Sequence, residues 1–147
     1  MNRLLNIIPL MLFAFSSNVI GQVVSLENQL EDLAKNYNVR DSTMIAIKCY
    51  SASYMLGAYA NDNSKTLKKL MIGDKLIETS IDYAQYMIKN KKFVAANEGE
   101  LLKLAEESLT YYDSISKSIS RDELNLVDSV LWKDYYLCQR NKNGILK

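Results

Sequence analysis

The chain has 147 residues, 18 basic and 17 acidic, with no histidine, two cysteines and a single proline. That length suits one domain with a real core, and so balanced a charge encodes no long-range attraction to nucleic acid or to an anionic membrane. Without histidine the usual general base, zinc ligand and triad member are missing, and two cysteines cannot complete a His/Cys zinc site or a haem attachment, so no metal or cofactor is expected.

Residues 1–21 predict a cleavable export signal, because the translocon reads a positive start and a short apolar stretch, and the peptidase admits only small side chains at the cut. Arg3 is the sole charge before Glu27, Leu4 to Phe15 is apolar apart from Asn6, and Ser16-Ser17-Asn18-Val19-Ile20-Gly21 turns polar and small. Val19 and Gly21 suit the positions three and one before a cut, so cleavage is expected before Gln22, with cuts after Ser16 or Ser17 as alternatives. An uncleaved anchor would want about 20 mainly apolar residues, and polarity returns too soon for one. No cysteine near the cut offers a lipid attachment point. Residues 22–147 are then expected to form one all-α domain, a bundle of about five helices.

With Pro9 gone, the mature chain holds no proline, and nothing forbids long helices. Ser25 is a good N-cap, and Leu26, Leu30, Leu33 and Tyr37 mark one face of a first helix running to about Asn38. Asp41 or Ser42 can cap a second over about 43–61, in which Ile45, Cys49, Ala52, Leu56 and Tyr59 share a face. Met44, Ile47, Tyr54, Met55 and Ala58 spread apolar surface around its other side, which marks it as the central helix. A third helix is expected over about 65–90, with Leu67, Leu70, Ile77, Ile81, Ala84 and Ile88 inward and a kink or break at Gly73-Asp74. Asn97 and Glu100 open a fourth, with Leu101, Leu104, Ala105, Leu109 and Tyr112 inward. Ser120 and Glu123 form a capping box for a fifth, whose stripe is Leu124, Val127, Leu131, Tyr135 and Cys138, with Asn143-Gly144 as its stop.

Cys49 and Cys138 are the whole cysteine inventory. An even pair in an exported chain is expected to be oxidised, which would staple the second helix to the fifth, the alternative being two buried thiols. A ring that long stabilises by roughly 4–5 kcal/mol on the chain-entropy model.

Chemistry-bearing constellations are sparse. Glu27/Glu31, Glu106/Glu107 and Asp122/Glu123 read as solvated helix surface, the last in a first turn that favours acids. Asp74 stands where the third stripe expects an apolar residue, which makes it a candidate pocket acid. Ser114-Ile115-Ser116-Lys117 matches the S-x-x-K signature of serine enzymes acting on cell-wall peptides, yet it lies in what reads as a serine-rich joint and lacks the companion motifs. Neither a dinucleotide fingerprint nor a P-loop is present.

Ten tyrosines remain, among them the adjacent pairs Tyr111-Tyr112 and Tyr135-Tyr136. Neighbouring side chains on a helix point about 100° apart, so one of each pair can face the core while the other reaches solvent. Tyr111, Trp132 and Tyr136 are therefore the candidate partner surface. In plan, an exported, neutral, bridged bundle resembles the small helical immunity proteins that bacteria send to the periplasm against cell-wall amidases. Cys49-Tyr50-Ser51-Ala52-Ser53-Tyr54 with Gly57 is similar to their cysteine, aromatic and glycine helix. The resemblance implies a module that blocks or shields another protein outside the cytoplasm, and it assigns no residue a role.

The expected function is a periplasmic or secreted binding protein of protein-interaction, inhibitor or immunity type, without catalysis. The alternatives are a small cell-wall hydrolase using carboxylates and a carrier of an apolar ligand. A convex tyrosine and tryptophan patch would favour the partner; a deep pocket holding Asp74 or another buried acid would favour the alternatives.

Overall fold

The computed structural model describes residues 24–62, 73–119 and 123–147, without the side chains of residues 62, 73, 74 and 123–125. The export signal and its cut, the Ser120/Glu123 capping box, and the side chains of Leu67, Leu70, Asp74 and Leu124 thus lie outside the described residues. Among those residues the chain is all α, with helices α1 (Leu26–Lys35), α2 (Val39–Asp62), α3 (Gly73–Lys89), α4 (Glu98–Ser118), α5 (Glu123–Asp128) and α6 (Val130–Ile145), and a 3-10 turn at Lys91–Phe93. No described helix is long and apolar enough to cross a membrane.

Central α2 packs against α1, α3, α4 and α6. Ile45, Ile47, Cys49, Ala52 and Leu56 are buried, while Ala46, Ser53, Gly57 and Ala60 share a face without bulk that lets a neighbouring backbone approach. The helix starts earlier than expected. Its cap is Asn38, whose side-chain oxygen accepts from the Asp41 N–H at 2.8 Å and whose amide donates to the Asp41 carboxylate at 2.6 Å. Asp41 is therefore a first-turn residue rather than the cap, a place where its charge suits the dipole. Ser42, the other expected cap, is fully buried and joins the Tyr86 hydroxyl and the Ile145 carbonyl. Because Asn38 serves α2, α1 stops at Lys35, and Tyr37 leaves the expected stripe to reach the hydroxyl of Tyr86 at 2.9 Å and the carbonyl of Lys147 at 3.2 Å.

In α3 the buried stripe is Leu76, Ser80, Tyr83 and Met87, whereas Ile81 and Ile88 of the expected stripe are about half exposed. Both sets have the same 4-3 spacing one residue apart, so periodicity cannot choose between them. Tyr83 decides: its ring is fully buried and its hydroxyl donates to the Cys138 carbonyl at 2.8 Å. A buried phenol needs such a partner.

Helix α4 opens as expected, Asn97 accepting from the Glu100 N–H at 3.0 Å while Glu100 reaches back to the Ala96 N–H at 2.7 Å. It continues to Ser118, so Ser114–Lys117 lies in its last turns and not in a joint.

The expected fifth helix is two. Ser129 is extended, with φ −69° and ψ 151° unsuited to a helix interior, and its hydroxyl accepts from the Trp132 N–H at 3.2 Å to start α6. That break shifts the phase upstream, so Leu126 is 1% exposed and Val127, of the expected stripe, 45%. Leu131 and Cys138 are buried as expected, and α6 runs through Asn143-Gly144 to end at buried Ile145. Cys49 and Cys138 are bonded, with a Cα separation of 5.6 Å, and tie α2 to α6 inside one apolar cluster with Leu26, Leu30 and Tyr83.

Candidate functional site

A cleft of about 420 Å³ opens where α2, α4 and α6 meet the start of α1. Met44, Ile47 and Lys48 come from α2, Leu104, Glu107, Tyr111 and Tyr112 from α4, and Val130 and Asp134 from α6, with Val24 and Leu26 at one end. Helical spacing explains each wall. Met44, Ile47 and Lys48 are i, i+3 and i+4, as are Leu104, Glu107 and Ser108; Val130 and Asp134 are i and i+4. A second cavity of about 550 Å³ adjoins it, sharing Val24, Met44, Lys48 and Leu104.

Two opposite charges stand in this largely apolar space. Asp134 Oδ2 accepts from the Tyr112 hydroxyl at 2.6 Å, and no described residue hydrogen-bonds its Oδ1. Burial raises the Asp134 carboxyl above its ordinary range, against the opposing pull of the Tyr112 hydrogen bond and the Lys48 charge. Burial also raises the Tyr112 phenol, with the Asp134 charge adding to the effect. Lys48 Nζ donates to Gln29 Oε1 at 2.9 Å. Burial lowers its ammonium, partly offset by Asp134. Each charge feels the other, yet among the described residues the two form no ion pair.

The candidate partner residues Tyr111, Trp132 and Tyr136 lie on two helices, α4 and α6. Tyr111, 42% exposed, lies at the rim of the cleft beside fully buried Tyr112, so this adjacent pair divides between surface and core as expected. Trp132 and Tyr136 share a different side of α6 from Val130 and Asp134, since two residues turn a helix through about 200°. Trp132 is half-buried against the apolar cluster that contains Leu56, Tyr112 and Leu131 and packs beside Tyr135, leaving Tyr136, 57% exposed, as the outward member. Asp74's side chain is outside the described residues. In the S-x-x-K segment the Lys117 ammonium pairs with the Asp113 carboxylate, and the Ser114 hydroxyl donates to the Tyr111 carbonyl, so the two do not act on each other.

Asp134 and Lys48 escaped the sequence reading, although a signal existed. Leu131, Asp134 and Cys138 step by 3 and 4, which puts a carboxylate on a core stripe, and Lys48 follows Met44 and Ile45 on the central helix. Among the described residues, no group of three or more Cys, Asp or Glu side chains is placed to hold a metal ion. Comparison of the chain with protein-family models, with curated proteins and with solved structures finds no match.

Proposed function

We propose that this chain is a small helical binding protein that works outside the cytoplasm and holds an apolar ligand in the α2–α4–α6 cleft without transforming it. The observation that carries this reading is the cleft itself. Apolar walls of Met44, Ile47, Leu104 and Val130 surround a carboxylate oxygen with room for a donor and an ammonium fixed by Gln29. A few convergent polar groups in an apolar pocket is the composition of ligand sites. The S-x-x-K segment supplies no activated serine, because the Lys117 ammonium pairs with Asp113 and the Ser114 hydroxyl donates to the Tyr111 carbonyl. Export is supported by the leader pattern of residues 1–21 and by the Cys49–Cys138 bond, since disulfides persist in oxidising compartments.

This reading moves the carrier ahead of a partner-blocking module. An acid, Asp134, stands in the lining of a largely apolar cleft. The protein purified from an exporting host is expected to begin at Gln22 and to give a saturable fluorescence rise with the apolar probe N-phenyl-1-naphthylamine. Leu104→Trp, which fills the cleft, is expected to abolish that rise while keeping the helical circular dichroism. Equal probe binding by the filled variant would remove the cleft from the argument. Capture of one envelope protein in equal yield by both forms would restore the partner reading.

A further inference from the structure

We propose that the cleft recognises an apolar α-amino acid in its zwitterionic form, the ammonium on Asp134, the carboxylate on Lys48 and the side chain among Met44, Ile47 and Leu104. The inference rests on the reading of this cleft as the ligand site and names what it takes.

Charge withdrawn from water is costly unless paired. Asp134 and Lys48 carry opposite charges into one cleft without forming an ion pair. Each is held by a neutral neighbour, Tyr112 for the carboxylate and Gln29 for the ammonium, so both are oriented while each charge is offset by the other only at a distance, without an ion pair between them. Three occupants fail to answer both. A fatty acid would pair with Lys48 but face Asp134 with like charge, an alkylamine would do the reverse, and a hydrocarbon would leave both unpaired. An α-amino acid carries a cation and an anion about one carbon apart and projects its side chain from that same carbon. It compensates both wall charges and gives the apolar wall its contact. Glu107 also borders the cleft, but its side chain is exposed and its charge is screened by water. The volume of about 420 Å³ falls within the range of small-ligand sites, about 300–1,000 Å³, and leaves room for a large aliphatic or aromatic side chain.

Calorimetry on the whole purified protein tests this with four compounds: leucine, N-acetylleucine, which lacks the ammonium, leucinamide, which lacks the carboxylate, and leucyl-leucine, whose termini lie farther apart. Leucine is expected to bind and to displace N-phenyl-1-naphthylamine. Each analogue is expected to bind about tenfold or more weakly, the loss of one charge-assisted hydrogen bond. Asp134→Asn and Lys48→Met are each expected to lose leucine binding while keeping the wild-type circular dichroism and disulfide. Should either variant fail to fold, the analogues on the unaltered protein carry the test. Probe binding without leucine binding, or equal affinity for leucine and both charge-deleted analogues, overturns the zwitterion and leaves the cleft standing. Tighter binding of leucyl-leucine replaces the free amino acid by a peptide. Absence of binding by probe and leucine alike sinks the cleft reading itself.

Discussion

Asp134 has one oxygen tied to the Tyr112 phenol, a place in the lining of the cleft, and a carboxyl raised by burial. An acid whose folded value exceeds its unfolded one favours the folded state below the unfolded value, near 3.8, and loses that contribution as pH rises through the folded value. Asp134→Asn keeps an oxygen for the Tyr112 hydroxyl and removes the ionisation. Urea melts are therefore expected to show the variant gaining on the wild type between pH 3.8 and neutrality, with the two converging at lower pH. A pH-independent difference would deny the carboxyl its buried character. Tyr83 gives the opposite limb. Its phenol is raised by burial, then by the Asp82 and Tyr135 charges, so its contribution is intact below 10.0 and fades as pH climbs toward the folded value. Tyr83→Phe is expected to cost about 1 kcal/mol at neutral pH through the lost bond to the Cys138 carbonyl. It is also expected to soften the alkaline unfolding that begins near pH 10, read by tyrosine absorbance and circular dichroism together.

At the scale of elements, two of the four side-chain N-caps among the described residues were legible, Ser25 for α1 and Asn97 for α4, whereas Asn38 and Ser129 were not. Those bonds span three residues and need nothing from the rest of the fold. Phase was less legible. The α3 stripe lies one residue from the expected one because Tyr83 finds an acceptor on α6, a contact 55 residues away in the chain. The same holds at Ser129, where a serine reads equally well as helix or cap, and where the break buries Leu126 instead of Val127. Leu126→Ala is expected to cost about 2–5 kcal/mol and Val127→Ala about 0.5 kcal/mol or less in chemical denaturation. Similar costs at both positions would restore the unbroken helix.

For the whole molecule, the Cys49–Cys138 bond closes a sequence separation of 89 and joins the central helix to the last one. Reduction, or the paired change Cys49→Ala with Cys138→Ala, is expected to lower stability by about 2–5 kcal/mol, seen as a lower denaturant midpoint. An unchanged midpoint would show that packing of Leu26, Ile45 and Ile145 around the bond suffices without it. The chain end is tied in as well, through the hydroxyl chain of Tyr37, Tyr86 and Ser42 and the Lys147 ammonium 5.6 Å from the centre of the Tyr37 ring. No short-range pattern announces that tie.

The amino-acid order by itself determined the all-α class, the central place of α2 and which two cysteines could pair, because apolar period, absent proline and a two-member cysteine set are local or exhaustive properties, while the structure decided that the bond forms. Only the tertiary structure decided which stripe of α3 faces inward, where α6 begins, and that Lys48 and Asp134, on different helices, share one cleft. Each of those outcomes depends on a partner remote in sequence, and a carboxylate on a stripe looks like a solvated charge until the opposite wall is in place.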